Sequence, residues 1–224
     1  MEGARIPAAY RHCTLGNFAP RTPALGAALD RALAYCHRFA EEGRGRGLGL
    51  LFWGGEGAGK THLAVAVLAE LTANHGLRGR FWEFPALLSE IARSYDRSGP
   101  RAETTALESA LRTDLLVLDD LGSRRMTDWA ADTLFAVVNA RYLERRPTLI
   151  TTTFEDAPPE VAARADARRR REFLVERVGR RLRSRLLEMC VFVPMQTAQE
   201  REAQRRPPRP TTLGALRRSE RGPT

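Results

Sequence analysis

Lysine is nearly missing from this chain: of 36 Lys and Arg residues among 224, Lys60 is the single lysine. Cysteine is also scarce. Cys13, Cys36 and Cys190 are odd in number and widely spaced, and His12-Cys13 and Cys36-His37 are adjacent pairs. That spacing suits neither a disulfide framework nor a zinc module, so the three read as ordinary reduced residues. No apolar run approaches the roughly 20 residues of a membrane-spanning helix. Residues 1–7 have no signal-peptide apolar region, which makes the cytoplasm the expected location, with no membrane contact. No internal repeat is present. What remains is 43% hydrophobic content, enough for one sizeable α/β domain.

Acidic residues are outnumbered, 27 against 36, and the net charge is +9. A polyanionic partner is expected, with nucleic acid leading. The plain alternative is an Arg-rich solvated surface. The charge is uneven, which favours the first reading. Arg164, Arg168 to Arg171, Arg177, Arg180, Arg181, Arg183 and Arg185 crowd one stretch, and Arg201, Arg205, Arg206, Arg209, Arg217, Arg218 and Arg221 crowd the tail.

The one lysine ends Gly54-Gly55-Glu56-Gly57-Ala58-Gly59-Lys60-Thr61. This is G-x-x-x-x-G-K-T, a phosphate-binding loop. A compact ammonium on a flexible stem reaches phosphates where a planar guanidinium does not fit. An apolar run over 47–53 reads as a strand before it, and 62–71 read as a helix after it. In that order, backbone N–H groups and the helix N-terminus face the phosphates. The Thr61 hydroxyl is a Mg²⁺ ligand in such loops. A ligand-free Gly-rich turn is the bland alternative.

Residues 1–22 look irregular. Residues 24–42 have helical spacing through Leu25, Ala28, Leu29, Ala32, Leu33 and Phe39. A second strand is expected near 80–84, followed by a helix opening at Pro85 and a short helix over 104–111. The run 114–120 is an apolar strand ending in Asp119 and Asp120. Adjacent strand residues face opposite sides, so the two carboxylates take different roles. Asp119 is expected to hold Mg²⁺ and Asp120 to orient or deprotonate a water. An amphipathic helix over 128–145 places Trp129, Leu134, Phe135, Val138, Tyr142 and Leu143 on one side. A fourth strand over 147–153 ends in hydroxyls, a helix opens at 158–160, and 170–189 are helical with a break near Gly179. A fifth strand covers 191–193. The expected fold is α/β, a P-loop NTPase with a central five-stranded parallel sheet flanked by helices. Three parts are expected: a leading segment 1–23, a core 24–194, and a basic, disordered tail 195–224.

These landmarks in order resemble the AAA+ ATPases of the DnaC/DnaI helicase-loader and IstB transposition-helper group, of the ASCE type. The likeness rests on Ile6-Pro7 to Tyr10, Cys13, Asn17-Phe18, residues 59–64, Leu115 to Gly122, Asn139 to Tyr142, Pro147 to Thr152 and Arg181 to Leu186, and covers about residues 5–194. It implies ATP and Mg²⁺ as ligands, with Lys60 and Thr61 as Walker A contacts and Asp119 and Asp120 as the Walker B pair. Gly54 to Gly59 and His62 join the nucleotide contacts, and Phe18 falls near the adenine. Arg181 and Arg185 match a signature that sends an arginine into a neighbouring subunit's site, with Arg177 as the registry alternative. Such an arginine makes hydrolysis depend on assembly.

Two departures stand out. Thr153 occupies the position of an asparagine that polarises the attacking water, and a hydroxyl has shorter reach. Only about twenty residues precede the first helix, and no zinc-binding N-terminal module is present. The leading reading is an ATP-hydrolysing AAA+ protein of helicase-loader type, acting in DNA replication on single-stranded DNA as a homo-oligomer. A replicative helicase or a transposase is the implied partner. The alternatives are an IstB-like transposition helper and a nucleotide-switched binding module with little hydrolysis. A small-molecule P-loop kinase is disfavoured by the Asp-Asp-Leu-Gly strand end and the arginine signature.

Overall fold

The computed structural model describes residues 2–42, 47–96, 106–124, 126–166, 169 and 172–196. Of the tail expected to be disordered and basic, residues 197–224 lie outside them, whereas Met195 is not disordered: it is buried in the core, and its N–H donates to the Trp53 carbonyl at 2.7 Å. Five parallel strands form one sheet in the order β2-β3-β4-β1-β5: β1 (Gly49–Trp53), β2 (Gly79–Glu83), β3 (Leu115–Asp119), β4 (Thr148–Thr152) and β5 (Cys190–Pro194). Every pairing is parallel, with Phe52 beside Thr151 and Val193 and with Leu118 beside Ile150. The central strands are buried on both faces, which is why they read as unbroken apolar runs.

Side-chain alternation divides the core in two. Leu50, Phe52, Leu115, Val117 and Leu149 face α1 (Pro23–Glu42) and α2 (Lys60–His75). Leu51, Leu116, Leu118 and Ile150 face α3 (Phe84–Asp96), α4 (Ala106–Arg112), α5 (Asp128–Leu143) and α7 (Leu174–Met189). A short α6 (Pro159–Arg164) lies between β4 and α7. Among the described residues, no helix is long and apolar enough to cross a membrane.

The helix faces depart from the sequence expectation at particular positions. On α1 the buried stripe is Leu25, Ala28, Ala32, Tyr35, Cys36 and Phe39, while Leu33 is 47% exposed. On α5 it is Ala130, Leu134, Val137, Val138 and Arg141, while Trp129 and Leu143 face solvent. The α5 face therefore includes an arginine. Its guanidinium is fully buried and donates to Thr148 Oγ1 and to the carbonyls of Ala110, Leu111, Thr113 and Pro147. Burial, helped by the Arg146 charge, pushes the Arg141 pKa down to about 9, so it stays cationic at neutral pH. It ties α4, α5 and the start of β4 together at the N-terminal edge of the sheet.

The leading residues are irregular as expected, two short 3-10 turns aside, but they are packed. Ala4, Ile6, Cys13 and Phe18 join the core on the α1/α2 face. The break near Gly179 is real: its φ of 80° and ψ of 161° kink α7.

Candidate nucleotide site

The site lies at the carboxyl edge of the sheet, where open α/β folds bind ligands. The chain leaves β1 through residues 54–59 and enters α2 at Lys60. Two glycines make this path sterically possible. A Cβ on Gly54 (φ 144°) would sit 2.2 Å from the Met195 carbonyl oxygen, and one on Gly59 (φ 86°) 2.6 Å from the Phe18 ring. Gly59 caps α2 without a side-chain hydrogen bond, so the first-turn N–H groups of the helix are left for a ligand. Lys60 is 8% exposed and folds back to donate from Nζ to the Gly55 carbonyl at 2.6 Å. Ala58 is buried, whereas Glu56 and Gly57 are exposed.

β4 lies between β1 and β3, so its end joins the loop to the carboxylates. Thr61 Oγ1 donates to Asp119 Oδ1 at 2.9 Å, and Thr151 Oγ1 donates to the same oxygen at 2.6 Å. The Asp120 N–H in turn donates to Thr151 Oγ1 at 2.9 Å. Thr152 Oγ1 donates to the Leu121 carbonyl. Burial raises the Asp119 carboxyl above the usual carboxylate range. Hydrogen bonds from Thr151 and Thr61 draw it back, the Asp120 charge raises it again, and the Lys60 charge lowers it. Asp120 has φ 58°, a left-handed conformation that turns the chain out of the strand. The Thr61 hydroxyl and the Asp119 carboxylate are hard oxygen donors meeting at one point, a pair that fits Mg²⁺.

The fold brings Lys60, Thr61, Asp119 and Asp120 to one edge. Phe18 is buried against Gly59, its ring 5.3 Å from that of His62, and His62 Nε2 lies 2.9 Å from the Thr14 carbonyl oxygen. Thr153 follows β4 by one residue and is half-buried. Arg181 and Arg185 lie away from this network, on α7. Arg181 stacks 3.7 Å from the Phe135 ring centroid and Arg185 4.0 Å from that of Tyr142. Arg177 stacks on Phe154 at 4.3 Å and packs beside Gly122, just past the Asp119-Asp120 turn. Between them, Arg183 is held in a two-pronged pair with Asp156.

Sequence reasoning missed two participants. Thr151, not singled out among the hydroxyls of its strand, is the residue that links Asp119 to Asp120. Its signal was parity: 149 and 151 share a face with 117 and 119. Tyr10 also stands close by, since burial and then the Asp119 and Glu83 charges raise its phenol pKa.

With this geometry, the match to a family model is decisive. Residues 26–157 match the model described as IstB-like ATP binding protein. The chain belongs to that family. It therefore binds ATP, and the loop, the carboxylate pair and the strand order are those of a P-loop AAA+ protein. The chain is 30% identical to a crystal structure of the DnaC helicase loader, with a TM-score of 0.71 over 84% of this chain and 99% of that one. The replicative helicase loader DnaC of Escherichia coli K12 is 27% identical over 146 residues, 64% of this chain and 56% of its own. An insertion sequence ATP-binding protein of Sinorhizobium fredii, described as putative, is 36% identical over 110 residues, 47% of this chain and 34% of its own. This family member spans about half the length of the curated relatives it matches.

Proposed function

We propose that the chain hydrolyses ATP with Mg²⁺ and acts on single-stranded DNA as a helicase-loader-type ATPase in replication. The observation that carries this reading is the Thr61–Asp119–Thr151–Asp120 chain of hydrogen bonds, which couples the phosphate loop to the catalytic carboxylate. Thr61 and Asp119 would hold the Mg²⁺, whose chemistry when bound is to neutralise charge on the phosphates. Lys60 leaves the Gly55 carbonyl for a phosphate oxygen. Asp120, aimed by its left-handed backbone and its N–H bond to Thr151, orients the attacking water or takes its proton. Thr153 is assigned the contact with that water, and its short hydroxyl implies slow turnover. Phe18 and His62 wall the nucleotide on the side of the leading segment. Residues 24–194 are the ATPase unit, the described residues of the leading segment pack on it, and tail residues 197–224 add phosphate contacts.

Assembly as a homo-oligomer on ATP and DNA would bring Arg181 or Arg185 to a neighbour's site, with Arg177 as the third candidate. A replicative helicase is the assigned protein partner. Phosphate release, measured with and without single-stranded DNA, tests the reading: the expected result is stimulation that Asp120→Asn abolishes. Turnover and assembly both indifferent to DNA would sink the DNA-coupled reading. The family match and the insertion-sequence relative favour a second reading, a transposition helper working with a transposase. Recovery of a transposase rather than a helicase on native co-purification selects it.

A further inference from the structure

At the opposite, N-terminal edge of the sheet lies a cavity of about 610 Å³, between the end of α2, the start of β2, α4 and the first 3-10 turn. It is far from the phosphate loop along the strands. Its volume is in the range of small-molecule sites, which are mostly apolar with a few placed polar groups. Ala73 and Leu77 give it apolar wall, and Arg78, Arg80 and Arg112 bring three guanidinium groups, with Glu108 beside Arg112 and the buried Asp114 beside Arg78. Arg78 and Arg112 hold acidic partners only loosely, at 3.4 Å and 3.6 Å. Arg80 has no ion-pair partner among the described residues. One of its terminal nitrogens donates to the Gly3 carbonyl, and its Nε is buried with no acceptor. Arg5 lies over the same Trp82 ring as Arg80, so two cations flank one indole. Burial and the Arg5 charge both lower the Arg80 pKa, the signature of a cation in want of an anion.

We propose that this cavity binds a small amphipathic anion, an apolar body of one or two rings bearing a single carboxylate, sulfonate or phosphate group. The apolar body lies against Ala73 and Leu77, and the anion meets the guanidinium edges of Arg80, Arg78 and Arg112.

The probe is 1-anilinonaphthalene-8-sulfonate, titrated by fluorescence into the full chain. One saturable site is expected. Arg80→Gln should weaken it about tenfold, the scale of one charged hydrogen bond. Ala73→Trp, at an exposed wall position, should abolish it by filling the space. Both variants should bind a fluorescent ATP analogue as the parent does, which reports an intact fold. N-phenyl-1-naphthylamine, the neutral counterpart, should bind at least about tenfold more weakly. Displacement of the sulfonate by ATP, unchanged binding in either variant, or equal binding of the neutral compound would each overturn the proposal.

Discussion

The two ends of the parallel sheet solve one problem in opposite ways. Both leave polar backbone ends beside a buried charge. At the N-terminal edge the charge is Arg141, and each of its three guanidinium nitrogens donates to a protein acceptor. At the carboxyl edge the charge is Asp119, and both hydroxyls that reach it share Oδ1. Oδ2 accepts no hydrogen bond among the described residues. A charge held at every nitrogen by the protein is structural scaffolding. An undersaturated one is ready for a ligand, and its neighbours Lys60 and Thr61 hold contacts that can be traded for phosphate and cation.

That contrast breaks most visibly at Arg141. Arg141→Met removes the donors and leaves buried acceptors unpaired, so urea unfolding should show a loss of about 4 kcal/mol. A loss below about 1 kcal/mol would mean the edge is held by packing alone. At the other edge, Lys60→Ala should leave the unfolding midpoint almost unchanged while weakening a fluorescent ATP analogue about thirtyfold, as loss of a charged contact does. Equal losses of stability at the two positions would erase the distinction. Thr151→Val should cost about 1.5 kcal/mol of stability and slow ATP turnover about tenfold, with Thr151→Ser restoring both. Tyr35 offers the smallest test. Its phenol donates to the Leu48 carbonyl at 2.8 Å, at the same edge as Arg141, and Tyr35→Phe should cost about 1 kcal/mol.

The Tyr35 contribution also has a pH signature. Burial, the leading cause, raises the folded pKa well above the usual phenol value. The unfolded phenol ionises at about pH 10, so this stability is complete below that pH and is lost as pH rises toward the folded value. Unfolding of the parent, but not of Tyr35→Phe, should therefore weaken through this extra step in alkaline urea titrations. Identical pH slopes would refute it.

Much of the site was legible because phosphate loops are written in consecutive residues. Gly54 to Thr61 and Asp119-Asp120 carry their chemistry in local spacing, and buried parallel strands announce themselves as apolar runs. Contacts that depend on which strands adjoin were harder to see. Thr151 matters because β4 sits between β1 and β3, and no local pattern states that order. Arg141 was hidden for a related reason. An arginine in a helix reads as solvent-facing until the carbonyls of Ala110, Thr113 and Pro147 are known to converge on it. Leu33 and Leu143 were assigned to apolar faces by residue type, yet the buried stripes pass beside them, through Ala32, Tyr35 and Cys36 on α1 and through Val138 and Arg141 on α5. Residues 1–22 have no periodicity, so the burial of Ile6, Cys13 and Phe18 follows from tertiary packing alone.

The solitary lysine has one more consequence. A protease that cuts only after lysine has one target bond in the whole chain, between Lys60 and Thr61, at the mouth of a buried helix start. Cleavage of the native chain requires that loop to open, so the rate of appearance of two fragments measures the opening directly. The molecule thus carries its own single-site clock, one that nucleotide should slow.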